Sequence, residues 1–376
     1  MKVVYVGAVP WVSNAPSVTF VTYNALGIAQ NDVETHLVVM NRSHEETDEL
    51  LRQVFDTERP SHLSIHRLAA SSHWHFARQV VPLIERLLDH ETTVVTRAIS
   101  LLPHLLWLRR KHRFLLLYES HNFYWDLHHR DDVHITRKLK RSLHERLWIP
   151  RTDGLICLQN TQQSLYRRVL PRDFPIAVLR TGIHRLFLPR IEARKNVLAY
   201  VGSLDAHKGI NHLLRLAESF GQKYTIEILG GRTETEVTTW RKQISEKGLE
   251  EKISVSGWLT KAELHTRLTA VQWGLLPLHN TFFNAHVTSP LKLFDFYAHG
   301  IPVLAADFPS LREMVEHEKT GFLVNWEDPQ RIGQLLEIAQ PAYAAMVEQV
   351  LERASDLLWH KRGTRLLDFI RSLQKT

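Results

Sequence analysis

Along the chain, short runs of consecutive apolar and β-branched residues alternate with longer stretches whose apolar positions recur every three or four residues. The short runs read as strands buried on both faces and the longer stretches as the helices that cover them. That is the pattern of βαβ units around parallel sheets. Lys2–Gly7 reads as the first strand, Ser17–Ala29 as the first helix and Glu34–Met40 as the second strand. Further strands are expected at Leu63–Leu68, Thr92–Thr96, Phe114–Glu119, Gly154–Leu158 and Ile176–Leu179. Ser43 and Glu46 stand at capping-box spacing, which predicts a helix start there. A second series has strands at Val197–Val201, Thr225–Leu229, Ile253–Ser256, Trp273–Leu276, Pro302–Ala305 and Gly321–Val324. Its helices are expected to start near Gly209, Thr235, Lys261, Pro290, Pro309 and Asp328.

Between the series lies TGIHRLFLPRIEARKN, with a glycine near its start, a proline near its middle and a charged tail, which reads as a linker. Dividing 376 residues by roughly 150 per domain gives about 2.5. The expected division is therefore a first domain over 1–182, a linker over 183–196, a second domain over 197–353 and a terminal segment over 354–376. In that last segment Trp359, Leu366, Leu367, Phe369 and Ile370 fall at helical spacing. The fold class expected is α/β, two Rossmann-like doubly wound domains facing across a cleft, with ligands outside the carboxyl ends of the strands.

Hydrophobic residues at 44% and charged residues at 23% give an ordinary globular balance and exclude a disordered or collagen-like chain. The single cysteine, Cys157, excludes an intramolecular disulfide framework and a four-cysteine zinc site, and points to a reducing compartment. The opening MKVVYVGAVPW lacks the apolar core and cleavage site of a secretory leader, and the apolar run LLPHLLWL is short and broken by His104. A cytoplasmic protein is expected, at most peripheral at the inner face of a membrane. Forty-seven Lys and Arg against 40 Asp and Glu leave a net charge of +7, which favours an acidic partner: nucleic acid, an anionic membrane or a phosphorylated ligand.

The loop Gly202-Ser203-Leu204-Asp205-Ala206-His207-Lys208-Gly209 joins a strand to a helix N-terminus, where backbone N–H groups, the helix dipole and Lys208 converge as an anion site. The bland alternative is a helix start beside an exposed lysine. In the segment Thr288–Val303, Ser289 reads as an N-cap, Pro290 as the first helical residue and Gly300 as the stop. One turn beyond Lys292, the Asp295 carboxylate can accept two hydroxyl hydrogen bonds, as a ribose diol offers. Histidines number 23, but none sits at zinc-protease spacing; His73-Trp74-His75 and His128-His129 read as surface or loop residues, and no metal is expected. His121, just after a strand, is a candidate cleft residue, with Glu119 a weaker one. Phe123-Tyr124-Trp125 reads equally as an acceptor wall or as loop packing, and Phe282-Phe283-Asn284 as a loop with exposed aromatics. The stretch 137–148, from Arg137 to Trp148, carries Leu139, Leu143 and Leu147 every four residues among basic groups. Two readings stay open: a helix lying on an anionic membrane, or a solvated helix packing its leucines on the sheet, the second favoured. A second basic cluster, Arg109-Arg110-Lys111-His112-Arg113, fits a helix C-terminus.

Taken together, YVGSLDAHKGINHLL, IEILGG, ISVSGWLTKAEL, SPLKLFDFYAHGIPVLA and EMVEHEKTGFLV resemble, in order and spacing, the retaining glycosyltransferases of family four, which have the GT-B fold. In the first half LLLYESHN resembles the family's strand ending in a histidine, and TGIHRLFLP its linker entrance. The resemblance implies a metal-independent, hexosyltransferase-like enzyme that moves a sugar, with retention, from a UDP- or GDP-sugar to a glycan, lipid-linked or other hydroxyl acceptor in glycan biosynthesis. It implies no cofactor beyond the nucleotide-diphosphate sugar donor. No helix-turn-helix, zinc-finger or RNP pattern appears, so no nucleic-acid partner is expected. Lys208 would neutralise the donor diphosphate with Gly209 at the assisting helix start, and Ser203 and Lys292 would lie on the donor side. Asp295 would hold the ribose, Trp258 and Leu259 would border the base, and backbone N–H groups among Ser289, Pro290 and Leu291 (none from Pro290) would meet phosphates or sugar. His121 would reach the transferred sugar. The segment 354–376 would be a closing helix packing back on the first domain.

Departures from the family pattern are Ser203, where an arginine is frequent; Val287, where the first of two paired carboxylates usually stands; and Val12-Ser13-Asn14-Ala15-Pro16 in place of a Gly-Gly loop. They motivate a rival reading, a weak or inactive relative that binds nucleotide sugar or serves as a partner subunit. A sugar-nucleotide epimerase and a nucleic-acid-binding protein rank below it.

Overall fold

The computed structural model describes all residues except 14, 128–133, 190–195, 206–207, 220–222, 339 and 376. Asn14 of the first loop, His128-His129, residues 190–195 in the second half of the expected linker, and Ala206 and His207 of the anion loop therefore lie outside the described residues. The chain divides into two compact units: unit 1 comprises Met1–Gly182, His286–Ser289 and Leu357–Thr376, and unit 2 comprises Ile183–Ala285 and Pro290–Asp356.

Unit 1 contains strands β1 (Lys2–Pro10), β2 (Glu34–Met40), β3 (Leu63–Leu68), β4 (Thr92–Thr96), β5 (Leu115–Glu119), β6 (Gly154–Cys157) and β7 (Ile176–Val178). They form one sheet in the order β3-β2-β1-β4-β5-β6-β7, with every recorded pairing parallel. Between them run α1 (Pro16–Ala29), α2 (Thr47–Phe55), α3 (His73–Leu87), α4 (Leu102–Arg109), α5 (Ile135–Trp148) and α6 (Asn160–Arg167). Such sheets bury both faces, so their strands are nearly continuous apolar runs. Val3, Val4, Tyr5 and Val6 of β1 are fully buried.

Unit 2 contains β8 (Val197–Val201), β9 (Thr225–Leu229), β10 (Ile253–Val255), β11 (Trp273–Leu276), β12 (Val303–Ala306) and β13 (Gly321–Val324), again parallel, in the order β10-β9-β8-β11-β12-β13. Its helices are α7 (Ile210–Ser219), α8 (Glu234–Glu246), α9 (Lys261–Leu268), α10 (Phe282–His286, whose last residue counts with unit 1), α11 (Leu291–Ala298), α12 (Pro309–Arg312), α13 (Pro329–Leu336) and α14 (Gln340–Asp356). The last helix, α15 (Trp359–Gln374), belongs to unit 1. It crosses α1 where a Cβ on Gly363 would lie 2.2 Å from the Gly27 carbonyl oxygen, so only glycine lets the two backbones meet. Covered in this way, α1 is buried along nearly its whole length, as a helix without a polar face must be.

Several local expectations are corrected. The Ser43 hydroxyl accepts from the Glu45 N–H at 3.1 Å instead of capping a helix, and α2 starts at Thr47 with Glu46 as N-cap. Residues 282–284 form a helical turn in α10 with Asn284 buried, not an exposed loop. Within the expected linker, Ile183 is buried and the Phe187 N–H donates to the Ala298 carbonyl at 2.8 Å. The largest reversal is in α5. Leu139 and Leu143 are 50% and 55% exposed, while Lys138, Ser142 and Glu145 face inward. The cause is polar anchoring: the Glu145 carboxylate accepts from the Tyr124 N–H at 2.8 Å, and Ser142 donates to the Trp125 carbonyl at 3.2 Å.

Candidate functional site

In unit 2 the loop after β8 is shaped by backbone constraints before any side chain acts. Gly209 has φ +74°, and a Cβ there would sit 1.6 Å from the Pro277 carbonyl oxygen, so a glycine is required where the chain turns into α7. The Ser203 hydroxyl donates to Asp205 at 2.7 Å, and the Lys208 N–H donates to the Asp205 carbonyl at 2.9 Å. Arg232, just beyond β9, reaches the Asp205 carboxylate at 3.3 Å. Asp205 and Arg232 are residues the sequence reading missed; only the approach of the β8 and β9 loops brings them together.

Lys292, in the first turn of α11, is buried, and its Nζ donates to the Tyr200 hydroxyl at 2.9 Å and lies 4.0 Å from the centre of that ring. The hydroxyl in turn donates to the Ser203 carbonyl at 2.6 Å, which ties α11 to the β8 loop. Burial, then repulsion from Lys208, holds the Lys292 ammonium well below the usual lysine range. The half-buried Lys208 is lowered by burial as well, against the pull of Asp205. Two depressed ammonium groups and one guanidinium thus face two carboxyl groups, Asp205 beside the loop and Asp295 along α11. A bound anion would stabilise all three cations at once.

Asp295, one turn along α11, has its carboxyl pushed up to about 6 by burial, opposed by Lys261 and Lys292. Its backbone carbonyl meets His299 Nδ1 at 2.8 Å, and His299 lies 2.7 Å from His265. Phe187 stacks on both imidazoles. Trp258 is exposed on the loop after β10 with Leu259 half-buried beside it, and a capping box of Thr260 and Glu263 fixes the start of α9 immediately beyond. Lys208, Gly209, Ser203, Trp258 and Leu259 therefore lie on loops at the carboxyl ends of β8 and β10.

The segment before α11 differs from expectation. Pro290 is the N-cap, with φ −71° and ψ 116°, and not the first helical residue, which is Leu291. Ser289 lies outside the helix because its hydroxyl pairs with that of Thr181 at 2.9 Å instead of capping. Ser289 counts with unit 1, whereas Pro290, Leu291, Lys292 and Asp295 belong to unit 2.

In unit 1, β5 ends at Glu119, which is fully buried among donors: Tyr5 at 2.8 Å, Arg362 at 2.9 Å, His121 at 3.2 Å and Asn24 at 3.3 Å. Burial would raise this carboxyl, but Arg362, His121 and Tyr5 hold it at about 2. His121 stands edge-on to Phe20, with ring centres 4.5 Å apart. Burial and the Arg97 charge lower it to about 4 against the pull of Glu119, so it is a neutral imidazole near pH 7. With Nε2–H donated to the carboxylate, Nδ1 is left as an acceptor. Arg362, from α15, also went unnoticed in the sequence. Phe123 and Tyr124 are buried, Phe123 against Tyr166, which favours loop packing for that aromatic run. Among the described residues no group of three or more His, Cys, Asp or Glu side chains could hold a metal ion.

Two parallel sheets with interleaved helices define the class: the fold is α/β of the GT-B type. Residues 188–339 match the family model of the glycosyl transferases group 1. A 41.2 kDa protein of the cps region of Klebsiella pneumoniae is 26% identical over 148 residues, which is 39% of this chain and 37% of that protein's length. Among solved structures, a sucrose-phosphate synthase from Thermosynechococcus elongatus is similar with a TM-score of 0.76 at 18% identity, covering 100% of this chain and 99% of that one. Anabaena HepE in complex with UDP-glucose is similar with a TM-score of 0.72 at 14% identity over 100% of both chains.

Proposed function

We propose that this protein is a glycosyltransferase that moves a sugar from a nucleotide-diphosphate sugar to a hydroxyl acceptor with retention and without a metal ion. The observation that carries this reading is the cluster of Lys208, Lys292 and Arg232 at the β8 loop, three cations against the carboxyls of Asp205 and Asp295, with both lysines depressed. A diphosphate leaving group gains negative charge as the bond to the anomeric carbon breaks, and preorganised cations stabilise that charge most when water is excluded. The acceptor oxygen bonds to the anomeric carbon from the same face, and its proton passes to the departing phosphate oxygen. Asp295 accepts the ribose hydroxyls and Trp258 stacks on the base.

Arg232 supports activity over the inactive alternative, because it brings a guanidinium to the loop where Ser203 replaces the family's frequent arginine. Val287, in contrast, is buried and offers no carboxylate. HepE has been solved with UDP-glucose, which makes UDP the first nucleotide to try. A thermal-shift screen against UDP, GDP and ADP should show one diphosphate raising Tm, since a ligand at about 100 Kd stabilises by roughly 2.7 kcal/mol. Lys208→Ala should weaken that shift and lower kcat about 10²-fold or more. Full turnover and an unchanged shift in Lys208→Ala, or no shift with any diphosphate, would overturn the reading.

A further inference from the structure

We propose that the outer surface of α3, α4 and α5 in unit 1 docks on an anionic lipid bilayer. In the strand order β3-β2-β1-β4-β5-β6-β7, the connections from β3 to β4, β4 to β5 and β5 to β6 all run towards the same edge. Right-handed crossovers therefore place their helices on one face of the sheet. Among the described residues of unit 1, the large apolar side chains left exposed are Trp74, Trp107, Ile135, Leu139, Leu143 and Leu147, all on these three helices. A stripe of this kind on a surface helix normally packs inward. In α5 it faces water, because the opposite face is held by Ser142 and Glu145.

Charge argues for the occupant. Segments 102–113 and 135–151 hold ten Lys and Arg and one carboxylate, Glu145, which is buried. Their net charge is +9, whereas the rest of the chain, with 37 basic and 39 acidic residues, is slightly negative. The basic excess of the whole protein is thus concentrated beside its exposed apolar stripe. Arg137, Lys140 and Arg146 flank the leucines. Each nearby tryptophan also has a cation over its ring: Arg78 4.7 Å from the centre of Trp74, Lys111 4.1 Å from Trp107 and Arg151 5.8 Å from Trp148. Leucines to enter the acyl boundary, tryptophans for the headgroup level and cations for acidic headgroups are what an interfacial surface requires. A second copy fits poorly, since a two-fold contact would set this positive surface against itself. No helix among the described residues is long and apolar enough to cross a membrane, so docking would be peripheral.

The test uses the full chain and vesicles without donor or acceptor, so its outcome is independent of the sugar-transfer reading. Sedimentation should show binding to phosphatidylcholine vesicles with about 30% phosphatidylglycerol at roughly 0.05 M salt, little binding to pure phosphatidylcholine, and release near 0.5 M salt. Leu139→Gln with Leu143→Gln should lower the partition coefficient at least about tenfold. Arg137→Gln with Lys140→Gln should do so about tenfold on anionic vesicles only. Brominated phosphatidylglycerol should quench wild-type tryptophan fluorescence, a readout that needs no variant. Absence of binding or quenching at low salt, equal binding by both double variants and wild type, or a vesicle-free dimer that Leu139→Gln with Leu143→Gln dissolves would overturn the proposal.

Discussion

Replacing Arg362 with methionine removes the cation that holds Glu119 in its buried site while keeping much of the side-chain volume. Glu119 has no exposed surface, and its pair with Arg362 is 2.9 Å long with both side chains almost fully enclosed. Arg362 also donates to the Arg180 carbonyl at 2.9 Å and to Asn24, so α15 is tied through one guanidinium to α1, β5 and the segment after β7. Orphaning a buried charge costs about 3–5 kcal/mol. The carboxyl itself gives a similar figure: a drop from the ordinary glutamate value of 4.5 to about 2 corresponds to roughly 3 kcal/mol at 1.36 kcal/mol per pH unit. At about 2–4 °C per kcal/mol for a unit of this size, Arg362→Met should lower Tm by roughly 10 °C at pH 7. The sign with pH follows. A depressed carboxyl stabilises the native state above its unfolded pKa, and that contribution fades in the wild type as pH falls from about 4.5 towards 2. In the variant, burial without the guanidinium raises Glu119, so the variant regains stability as pH falls. The gap in Tm should therefore narrow between pH 7 and pH 4 in thermal melts, and Glu119→Gln added to Arg362→Met should recover part of the loss. A Tm loss below about 2 °C, a gap independent of pH, or no recovery in the double variant would refute the reasoning.

Trp258→Ala should weaken UDP binding in titration calorimetry by roughly 1–3 kcal/mol, the usual worth of base stacking on an aromatic ring, with Tm unchanged because the side chain is exposed. Equal affinity would remove Trp258 from the base site. Asp295→Asn should raise Tm at pH 8, where the native state carries a carboxylate whose pKa is raised to about 6, and leave Tm unchanged below pH 3.8, where both states are neutral. The same variant should lose discrimination between UDP and its 2′,3′-dideoxy analogue, and preserved discrimination would exclude a ribose contact.

The strands were legible because a parallel strand buried on both faces is a plain apolar run bounded by turns. The ranges read for β2, β3, β4, β8, β9, β11 and β13 coincide with the structure. Capping signals were read less well, since a serine hydroxyl bonds whichever partner the fold supplies. Ser43 found the Glu45 N–H and Ser289 found Thr181. Where a motif follows a strand, its place was legible: Ser203 and Lys208 lie on the loop after β8, and Trp258 and Leu259 on the loop after β10. Contacts between distant chain segments were not. Asp205 with Arg232 and Glu119 with Arg362 are pairs that no local spacing reveals. The α5 stripe carries the same lesson further. A period of four residues establishes that a helix has an apolar face, yet which face turns inward is decided by all the groups that must leave water. Here the Tyr124 N–H and the Trp125 carbonyl needed partners, Glu145 and Ser142 supplied them, and Glu145 accepted a carboxyl raised to about 8 by burial. Satisfying two backbone groups inside the protein therefore left an apolar, basic surface exposed among the described residues of unit 1, and that is the surface proposed to meet lipid.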